Sequence, residues 1–276
     1  MEQNGKYGSP RVSVIMGVYN GERFLCEALD SILNQTFENF EFLICNDCST
    51  DGSAAILSEY EKKDGRIRLL YNEKNSGLAA SLNRCIEIAK GEYLARMDCD
   101  DRALCNRFEE QIKWLDTHKE VDVVGTLVEY INDAGAVIGR PSVWQAKISS
   151  MTEVVRGCPV VHPSVMMRTE VIRNVGGYTS NSLTTRAEDY DLWCRVCEVG
   201  GKIANVNQVL FQYREDQSNL KLRKYKHRIQ EFQLKWYWIR RTKQPLGELR
   251  YAVKPLLVGL LPSRLYKWLH FRKIKG

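Results

Sequence analysis

Short apolar strands alternate with amphipathic helices along the first part of this chain, and this alternation constrains the fold more than any other feature. Apolar runs typical of buried strands occupy 11–16, 40–45, 66–71 and 93–97. Apolar residues at helical spacing separate these runs, at 22–35, 54–62 and 75–90. The alternation predicts an α/β fold with a mostly parallel central sheet and helices on both faces, because helical crossovers join parallel strands.

The second half of the chain is less regular. We predict helices at 107–118, 146–156 and 188–199, strands at 121–131, 160–168, 203–206 and 209–214, and a long basic helix at 218–243. The length and this pattern fit one large α/β domain or two fused smaller ones, followed by a basic helical extension at 217–276.

Charge is distributed unevenly along the chain. Residues 221–276 carry 16 Lys and Arg against 2 Asp and Glu, a net charge of +14, whereas residues 1–220 carry a net charge of −8. The basic segment is also rich in aromatic residues, a composition that suits nucleic acid, a solvated helix face or the interface of an anionic membrane. Since no nucleic-acid motif is present and the body is acidic, we predict association with an anionic membrane surface through 221–276 and no nucleic-acid binding.

No segment of the sequence predicts a membrane span or a secretory signal. Residues 1–11 are polar, and the longest apolar run, 255–262, is far shorter than the roughly 20 residues of a spanning helix. The nine cysteines, an odd number, are typical of reduced thiols. We therefore expect a cytoplasmic protein that associates peripherally with the inner face of the cell membrane.

Three carboxylates directly follow the fourth predicted strand, as Asp98, Asp100 and Asp101. Ligands of such sheets bind outside the carboxyl ends of the strands, and crowded carboxylates repel one another unless a cation is present. Oxygen ligands on a tight turn suit Mg²⁺ or Mn²⁺. A solvated acidic turn is the alternative interpretation.

Two further acidic features lie elsewhere in the sequence. Asp47 follows the second strand, on the same edge of the predicted sheet. Glu188, Asp189 and Asp191 open a helix, where acidic residues also commonly complement the helix dipole. Taken alone, the helix-dipole interpretation is favoured for this second group.

Together, these motifs resemble glycosyltransferase family 2, whose members have the Rossmann-like GT-A fold. The resemblance covers residues 10–216 and is carried, in the family's order, by Val12–Asn20, Ser31–Phe37, Phe40–Gly52, Asn75–Asn83, Ala89–Tyr93, Asp98–Asp101, Gly176–Tyr178 and Ala187–Trp193. It implies an inverting, metal-dependent hexosyltransferase of bacterial surface polysaccharide biosynthesis. The implied donor is a nucleotide sugar, with a UDP-sugar favoured, and the implied acceptor is a glycan or lipid-linked glycan.

The resemblance also implies a role for each matched residue. Residues 1–101 would form the half that binds the nucleotide sugar, and residues 102–216 the half that binds the acceptor. The implied roles are donor binding by Tyr19, Asp47, Asn75 and Asp98, binding of Mn²⁺ or Mg²⁺ by Asp100 and Asp101, and general-base catalysis by Asp189. Glu188 would lie on the acceptor side of the same motif.

Two aromatic residues are further candidates for the acceptor pocket. His162 precedes the motif that carries the base, and Trp193 lies in the helix that the motif opens. A structural histidine and a buried core tryptophan are the alternatives for these two positions.

The sequence departs from the family in ways that bear on the site. Asn46 stands where many relatives have an aspartate, and no histidine follows Tyr213 and Arg214, where relatives often carry one. We therefore expect Arg214 or Lys221 to neutralise the diphosphate.

Two other classes stay open. A sugar-1-phosphate nucleotidyltransferase would need a glycine-rich, basic loop after the first strand, and 17–21 lacks that pattern. A catalytically degenerate scaffold at a membrane complex is disfavoured, because the motif aspartates are intact.

Overall fold

The predicted strands of the first half form the parallel part of one sheet. The computed structural model describes residues 8–140, 148–215 and 224–275. The strands are β1 (Val12–Val18), β2 (Phe40–Asn46), β3 (Ile67–Tyr71) and β4 (Tyr93–Arg96), connected by the helices α1 (Glu22–Leu33), α2 (Ser53–Lys63) and α3 (Leu78–Ile88). They lie in the order β3-β2-β1-β4, and each neighbouring pair is parallel.

The second half extends this sheet with strands of both directions. They are β5 (Arg102–Ala103), β6 (Val123–Ile131), β7 (Val137–Gly139), β8 (Met166–Arg168) and β9 (Ile203–Arg214), and the sheet continues from β4 in the order β8-β6-β9-β5. β8 is antiparallel to both β4 and β6, whereas β6 and β9 are parallel. The α/β class is confirmed. Every antiparallel pair of described strands includes at least one of the second-half strands β5 to β9.

Two predicted strand boundaries are wrong. The predicted strand 160–168 is a 3-10 turn, His162–Ser164, followed by the short β8, because Pro163 lacks the N–H that a strand ladder needs. The two predicted strands 203–206 and 209–214 are the single strand β9, which stays paired with β6 across two register shifts.

Seven further helices complete the described part of the chain. They are α4 (Arg107–Thr117), α5 (Met151–Arg156), α6 (Thr169–Asn174), α7 (Glu188–Glu198), α8 (Tyr225–Arg241), α9 (Leu249–Gly259) and α10 (Ser263–Lys275). The predicted helices 146–156 and 218–243 each begin with positions outside the described residues. Lys221 is one of these positions. No helix in the described ranges has both the length and the apolar character needed to cross a bilayer.

Two apolar clusters cover the two faces of the sheet. Successive strand side chains point to opposite faces, so Val14 and Met16 of β1 belong to one cluster and Ile15 to the other. The second cluster includes Leu234 and Trp238 of α8, both almost fully buried. The first helix of the basic extension is therefore part of the core of the domain.

Candidate active site

The turn after β4 brings three carboxylates together. The ligand oxygens of Asp98, Asp100 and Asp101 all lie within 4.8 Å of one another. Asp101 is buried: its Oδ1 accepts a 2.7 Å hydrogen bond from the backbone N–H of Arg214, and its Oδ2 has no partner among the described residues. A buried carboxylate oxygen without a donor is costly, so the turn is suited to a cation.

Burial and crowding raise the pKa values of two of these carboxylates, Asp100 and Asp101. Burial raises the pKa of Asp101 well above its ordinary value, and the charges of Asp100 and Asp98 raise it further. Loss of hydration among the surrounding protein atoms and the charge of Asp98 raise the pKa of Asp100 to about 6, although this side chain keeps contact with solvent. Neighbouring negative charge contributes to both shifts, and a divalent cation bound at the turn would offset it.

Arg214 of β9 forms hydrogen bonds with the turn after β4, and its guanidinium is not available for a diphosphate. Its buried guanidinium donates to the backbone oxygens of Asp100, Asn132 and Asp133 and to the Glu27 carboxylate, at 2.7–3.1 Å. The expectation that Arg214 neutralises the diphosphate is therefore wrong, because all its nitrogens already have partners. Lys221, the other candidate, lies outside the described residues.

Asp47 directly follows β2 and forms hydrogen bonds with the segment that precedes α3. The carboxylate is 3% exposed and accepts hydrogen bonds from Asn72 Nδ2 at 2.6 Å and from the backbone N–H groups of Ser76 and Gly77 at 2.8 Å. Contact of Asp47 with a nucleotide base stays a prediction. The structure shows that this carboxylate positions the backbone next to Asn75, which is itself exposed.

The acidic start of α7 divides into structural and pocket-facing residues. Asp191 is buried and accepts from Thr179 Oγ1, Arg195 Nε and Trp238 Nε1, so its role is structural. The Asp189 carboxylate accepts from its neighbour's backbone N–H at 2.8 Å and from the Cys158 thiol at 3.4 Å. Glu188 and Asp189, in contrast, line a pocket.

This pocket, called the acidic pocket below, joins the turn after β4 to the start of α7. It has a volume of about 270 Å³ and is lined by Arg96, Asp98, His162, Pro163, Arg186, Glu188, Asp189 and Tyr213. Four predicted site residues thus meet in one place although they are far apart in sequence.

Of the two predicted aromatic residues of the acceptor pocket, His162 lines a pocket and Trp193 does not. His162 lines the acidic pocket, and its Nε2 lies 2.7 Å from the Tyr178 hydroxyl. Burial and the nearby charge of Arg96 lower the pKa of His162 well below its ordinary value, so the ring is neutral. Trp193 is completely buried in the core, so the prediction that it lines the acceptor site is wrong: no face of the ring can reach a sugar.

Arg96 is a site residue that the sequence interpretation missed. It ends β4 two positions before Asp98 and forms an ion pair with that carboxylate, although it is only 2% exposed. The available signal was a lone cation in an otherwise apolar strand, because a buried charge requires a partner.

A second pocket of about 460 Å³ adjoins Arg186 and Glu188. Its other walls are the 75–79 segment and the 179–185 loop. Asn75 lies here, whereas Tyr19 is half-exposed at the end of β1 and lines neither pocket. Arg186, shared by both pockets, has a φ of +64°, which is unusual for a residue other than glycine.

A further pocket, of about 820 Å³, lies at the opposite edge of the sheet. Its lining includes Arg11, Lys90 and Arg173, beside the amino ends of β1 and β4. No predicted site residue lines it, and functional sites of such sheets lie at the carboxyl edge.

Comparison with known families matches both halves of the chain. The family model described as "Glycosyl transferase family 2" matches residues 13–171, and "Glycosyl transferase family group 2" matches residues 93–275. The putative glycosyltransferase EpsE of Bacillus subtilis is 38% identical over 96% of this chain and 95% of its own length. The glucosyltransferase WfaP of Escherichia coli, named for UDP-Glc and α-D-GlcNAc-diphosphoundecaprenol, is 28% identical over 80% of this chain and 83% of its own length.

Solved structures share the fold. TarS 1–349 of S. aureus, crystallised with UDP-GlcNAc, superposes with a TM-score of 0.70 at 17% identity, covering 96% of this chain and 81% of that one. A mannosyltransferase of Pyrobaculum calidifontis in complex with GDP-Man and Mn²⁺ gives a TM-score of 0.62 at 18% identity, covering 98% and 74%. At these identities the likeness establishes the fold alone.

Proposed function

This chain belongs to glycosyl transferase family 2 and is a glycosyltransferase, and we propose that it moves a sugar from a nucleoside-diphosphate donor to a hydroxyl of a glycan acceptor with inversion. The observation that carries this proposal is the acidic pocket, in which Asp98 of the turn after β4 faces the same space as Asp189 of α7. An inverting transfer needs the donor held on one side of the reacting carbon and a proton acceptor on the other.

Asp189 is the proposed general base. Its carboxylate takes the proton from the acceptor hydroxyl as that oxygen attacks the anomeric carbon, and the bond from this carbon to the diphosphate oxygen breaks in the same displacement. The hydrogen bond from the Tyr190 N–H and the thiol of Cys158 hold the carboxylate in place. His162, held by Tyr178, is neutral, so it adds no positive charge that would make Asp189 a weaker base.

The three carboxylates of the turn fit a divalent cation such as Mn²⁺ or Mg²⁺. Asp100 is exposed, no donor among the described residues reaches the Asp101 Oδ2, and Asp98 is paired with Arg96, so Asp100 and Asp101 are the residues that would hold the cation. The cation would supply positive charge to offset the charge that develops on the leaving diphosphate. Mn²⁺ in the mannosyltransferase complex, a protein of similar fold, supports this assignment.

The proposed donor is a UDP-sugar, and the proposed acceptor is a lipid-linked glycan of a surface polysaccharide. The printed name of WfaP combines UDP-Glc with an undecaprenol-linked acceptor, and TarS was solved with UDP-GlcNAc. Tyr19, Asp47 and Asn75 lie around the ends of β1, β2 and the start of α3, the proposed base-binding side.

The basic extension is the proposed contact with an anionic membrane. Leu257, Leu260, Trp268 and Leu269 are 43–70% exposed on α9 and its continuation into α10. Exposed apolar side chains within a segment of net charge +14 are complementary to lipid tails beneath anionic headgroups. Such a contact would bring the acidic pocket to a lipid-linked acceptor.

The transfer proposal is tested with the purified protein, undecaprenyl-diphosphate-linked GlcNAc and a panel of UDP-, GDP- and dTDP-sugars. We expect Mn²⁺-dependent transfer from one UDP-sugar, with the product anomer opposite to that of the donor. Transfer that is unaffected by EDTA would contradict the metal assignment, and retention of configuration would contradict the single displacement.

The membrane proposal is tested by co-sedimentation with phosphatidylglycerol vesicles. The triple substitution Leu257→Ser, Leu260→Ser and Trp268→Ser should reduce vesicle binding by about tenfold. The control substitution Val199→Ser, at a residue that is 67% exposed on the body of the domain, should have no effect. Equal binding of the two variants would rule out this surface.

A further inference from the structure

Arg96 is a buried cation with incomplete hydrogen bonding. Its Nη2 pairs with the Asp98 carboxylate, while Nε and Nη1 have no acceptor among the described residues. A buried donor without an acceptor is destabilising, so a ligand that supplies an acceptor gains affinity. Arg107, the neighbouring buried arginine, differs: it donates to Gln111 Oε1 and to the backbone oxygens of Arg96 and Val165 at 2.9–3.1 Å.

The surroundings of Arg96 restrict where an acceptor can come from. The strand places its backbone between β1 and β8, and its side chain forms part of the wall of the acidic pocket. Nε and Nη1 lie behind this wall, with less than 1 Å² of accessible surface each, so a group in the pocket reaches them only after a shift of the guanidinium. In the proposed function, on which this inference rests, the transferred sugar occupies that space.

We propose that Arg96 is a specificity-determining residue: when the donor binds, its side chain shifts so that Nε and Nη1 donate hydrogen bonds to hydroxyl oxygens of the transferred sugar, and it thereby selects a neutral sugar. A hydroxyl both accepts and donates, so it can accept from Arg96 while it donates to Asp98. The ion pair presents this combination of donor and acceptor side by side on the pocket wall.

The charge of the pocket argues against an acidic sugar. Asp98 already offsets the charge of Arg96, and the remaining lining acids, Glu188 and Asp189, face the exposed Arg186. A sugar carboxylate would therefore add a negative charge to a pocket in which acids already outnumber the cations. Neutral hydroxyls bring no such repulsion.

The experiment measures nucleotide binding by calorimetry, in the presence of Mn²⁺, with UDP, UDP-glucose and UDP-glucuronate. The variant is Arg96→Lys, which keeps a positive charge near Asp98 but lacks the branched donors. The control is Arg168→Lys, since Arg168 is an arginine that donates to the backbone oxygens of Val121 and Leu115, outside the acidic pocket.

Wild-type protein should bind UDP-glucose more tightly than UDP-glucuronate. Arg96→Lys should weaken UDP-glucose binding about tenfold while UDP binding changes less than twofold. Arg168→Lys should leave all three affinities unchanged. The comparison of the two nucleotide sugars in wild-type protein needs no variant and holds even if Arg96→Lys does not fold.

Two results would overturn the assignment of Arg96. One is an equal loss, or no loss, of affinity for UDP and UDP-glucose in Arg96→Lys, and the other is a wild-type preference for UDP-glucuronate. Absence of binding of any uridine compound to the wild-type protein would instead refute the proposed uridine donor, and the inference would fall with it.

Discussion

Arg214 is the residue that fixes the turn carrying Asp100 and Asp101. Its guanidinium donates to the backbone oxygen of Asp100 in this turn and to that of Asn132 in the turn after β6, lies 4.0 Å from the centre of the Phe24 ring and pairs with Glu27. A planar guanidinium can satisfy four acceptors in fixed directions, which a lysine ammonium cannot. The geometry of the proposed metal site therefore depends on a residue that would not touch the metal.

Arg214→Lys should weaken Mn²⁺ activation at least tenfold and destabilise the fold by about 2 kcal/mol, because several buried acceptors lose their donor. The measurements are the Mn²⁺ concentration for half-maximal transfer and the free energy of unfolding. Arg66→Lys is the control, since Arg66 pairs with Asp64 at the far end of α2. Unchanged Mn²⁺ dependence in Arg214→Lys would disprove the positioning role.

At the scale of elements, α4 is joined to β1 and β4 by Asp116. This carboxylate accepts from Arg11 Nη2 at 2.6 Å and from the Tyr93 hydroxyl at 2.8 Å. Partial burial by itself raises the pKa of Asp116, but the hydrogen bonds from Arg11 and Tyr93 and the charge of Arg11 outweigh burial and lower it. The folded state therefore favours the ionised form.

Because the folded pKa of Asp116 lies below its unfolded value, its contribution is complete above the unfolded pKa of about 4 and is lost as the pH falls through the folded value. Asp116→Asn should cost about 1 kcal/mol at pH 7, discounted for partial exposure, or a Tm decrease of about 2 °C. Melting curves from pH 7 to pH 3 should show this difference shrinking. A constant difference would mean that the carboxylate charge is not the cause.

At the scale of the whole molecule, the basic extension is divided between core and surface. Leu234, Trp238 and Ile239 of α8 and Ala252 of α9 are 0–2% exposed within the second apolar cluster. Trp238 also donates to Asp191, in the helix that begins with the proposed base. Exposed large apolar side chains occur on all three helices: Tyr225, Ile229, Trp236 and Tyr237 on α8, Val253 and Leu257 on α9, and Leu265, Trp268 and Leu269 on α10.

A chain that ends at residue 220 should therefore not fold, whereas one that ends at residue 262, which lacks α10, should fold and remain active. Circular dichroism and the cooperativity of thermal unfolding distinguish the two outcomes. A cooperative transition near the wild-type Tm for the 1–220 chain would show that α8 is dispensable for the core.

The sequence could predict those parts of the fold and site that depend on local pattern. The apolar run of β4 followed by Asp98, Asp100 and Asp101 placed the turn at the correct edge of the sheet. The pairing of Arg96 with Asp98 and of Arg214 with the turn could not be predicted, because both depend on side-chain direction or on contacts across the chain. The prediction that Trp193 lines the acceptor site is wrong for a similar reason. The burial of a helical side chain depends on what packs over the helix, which periodicity does not specify.

The measurement that tests the central claim most directly is transfer and nucleotide binding by Asp189→Asn. The substitution keeps the shape of the side chain but removes the proton acceptor, so the transfer rate should fall by about 10²–10⁴-fold. The Kd for UDP in the presence of Mn²⁺ should stay within twofold of wild type, as it should in the control Glu198→Gln at the other end of α7. Unchanged transfer by Asp189→Asn would contradict the account.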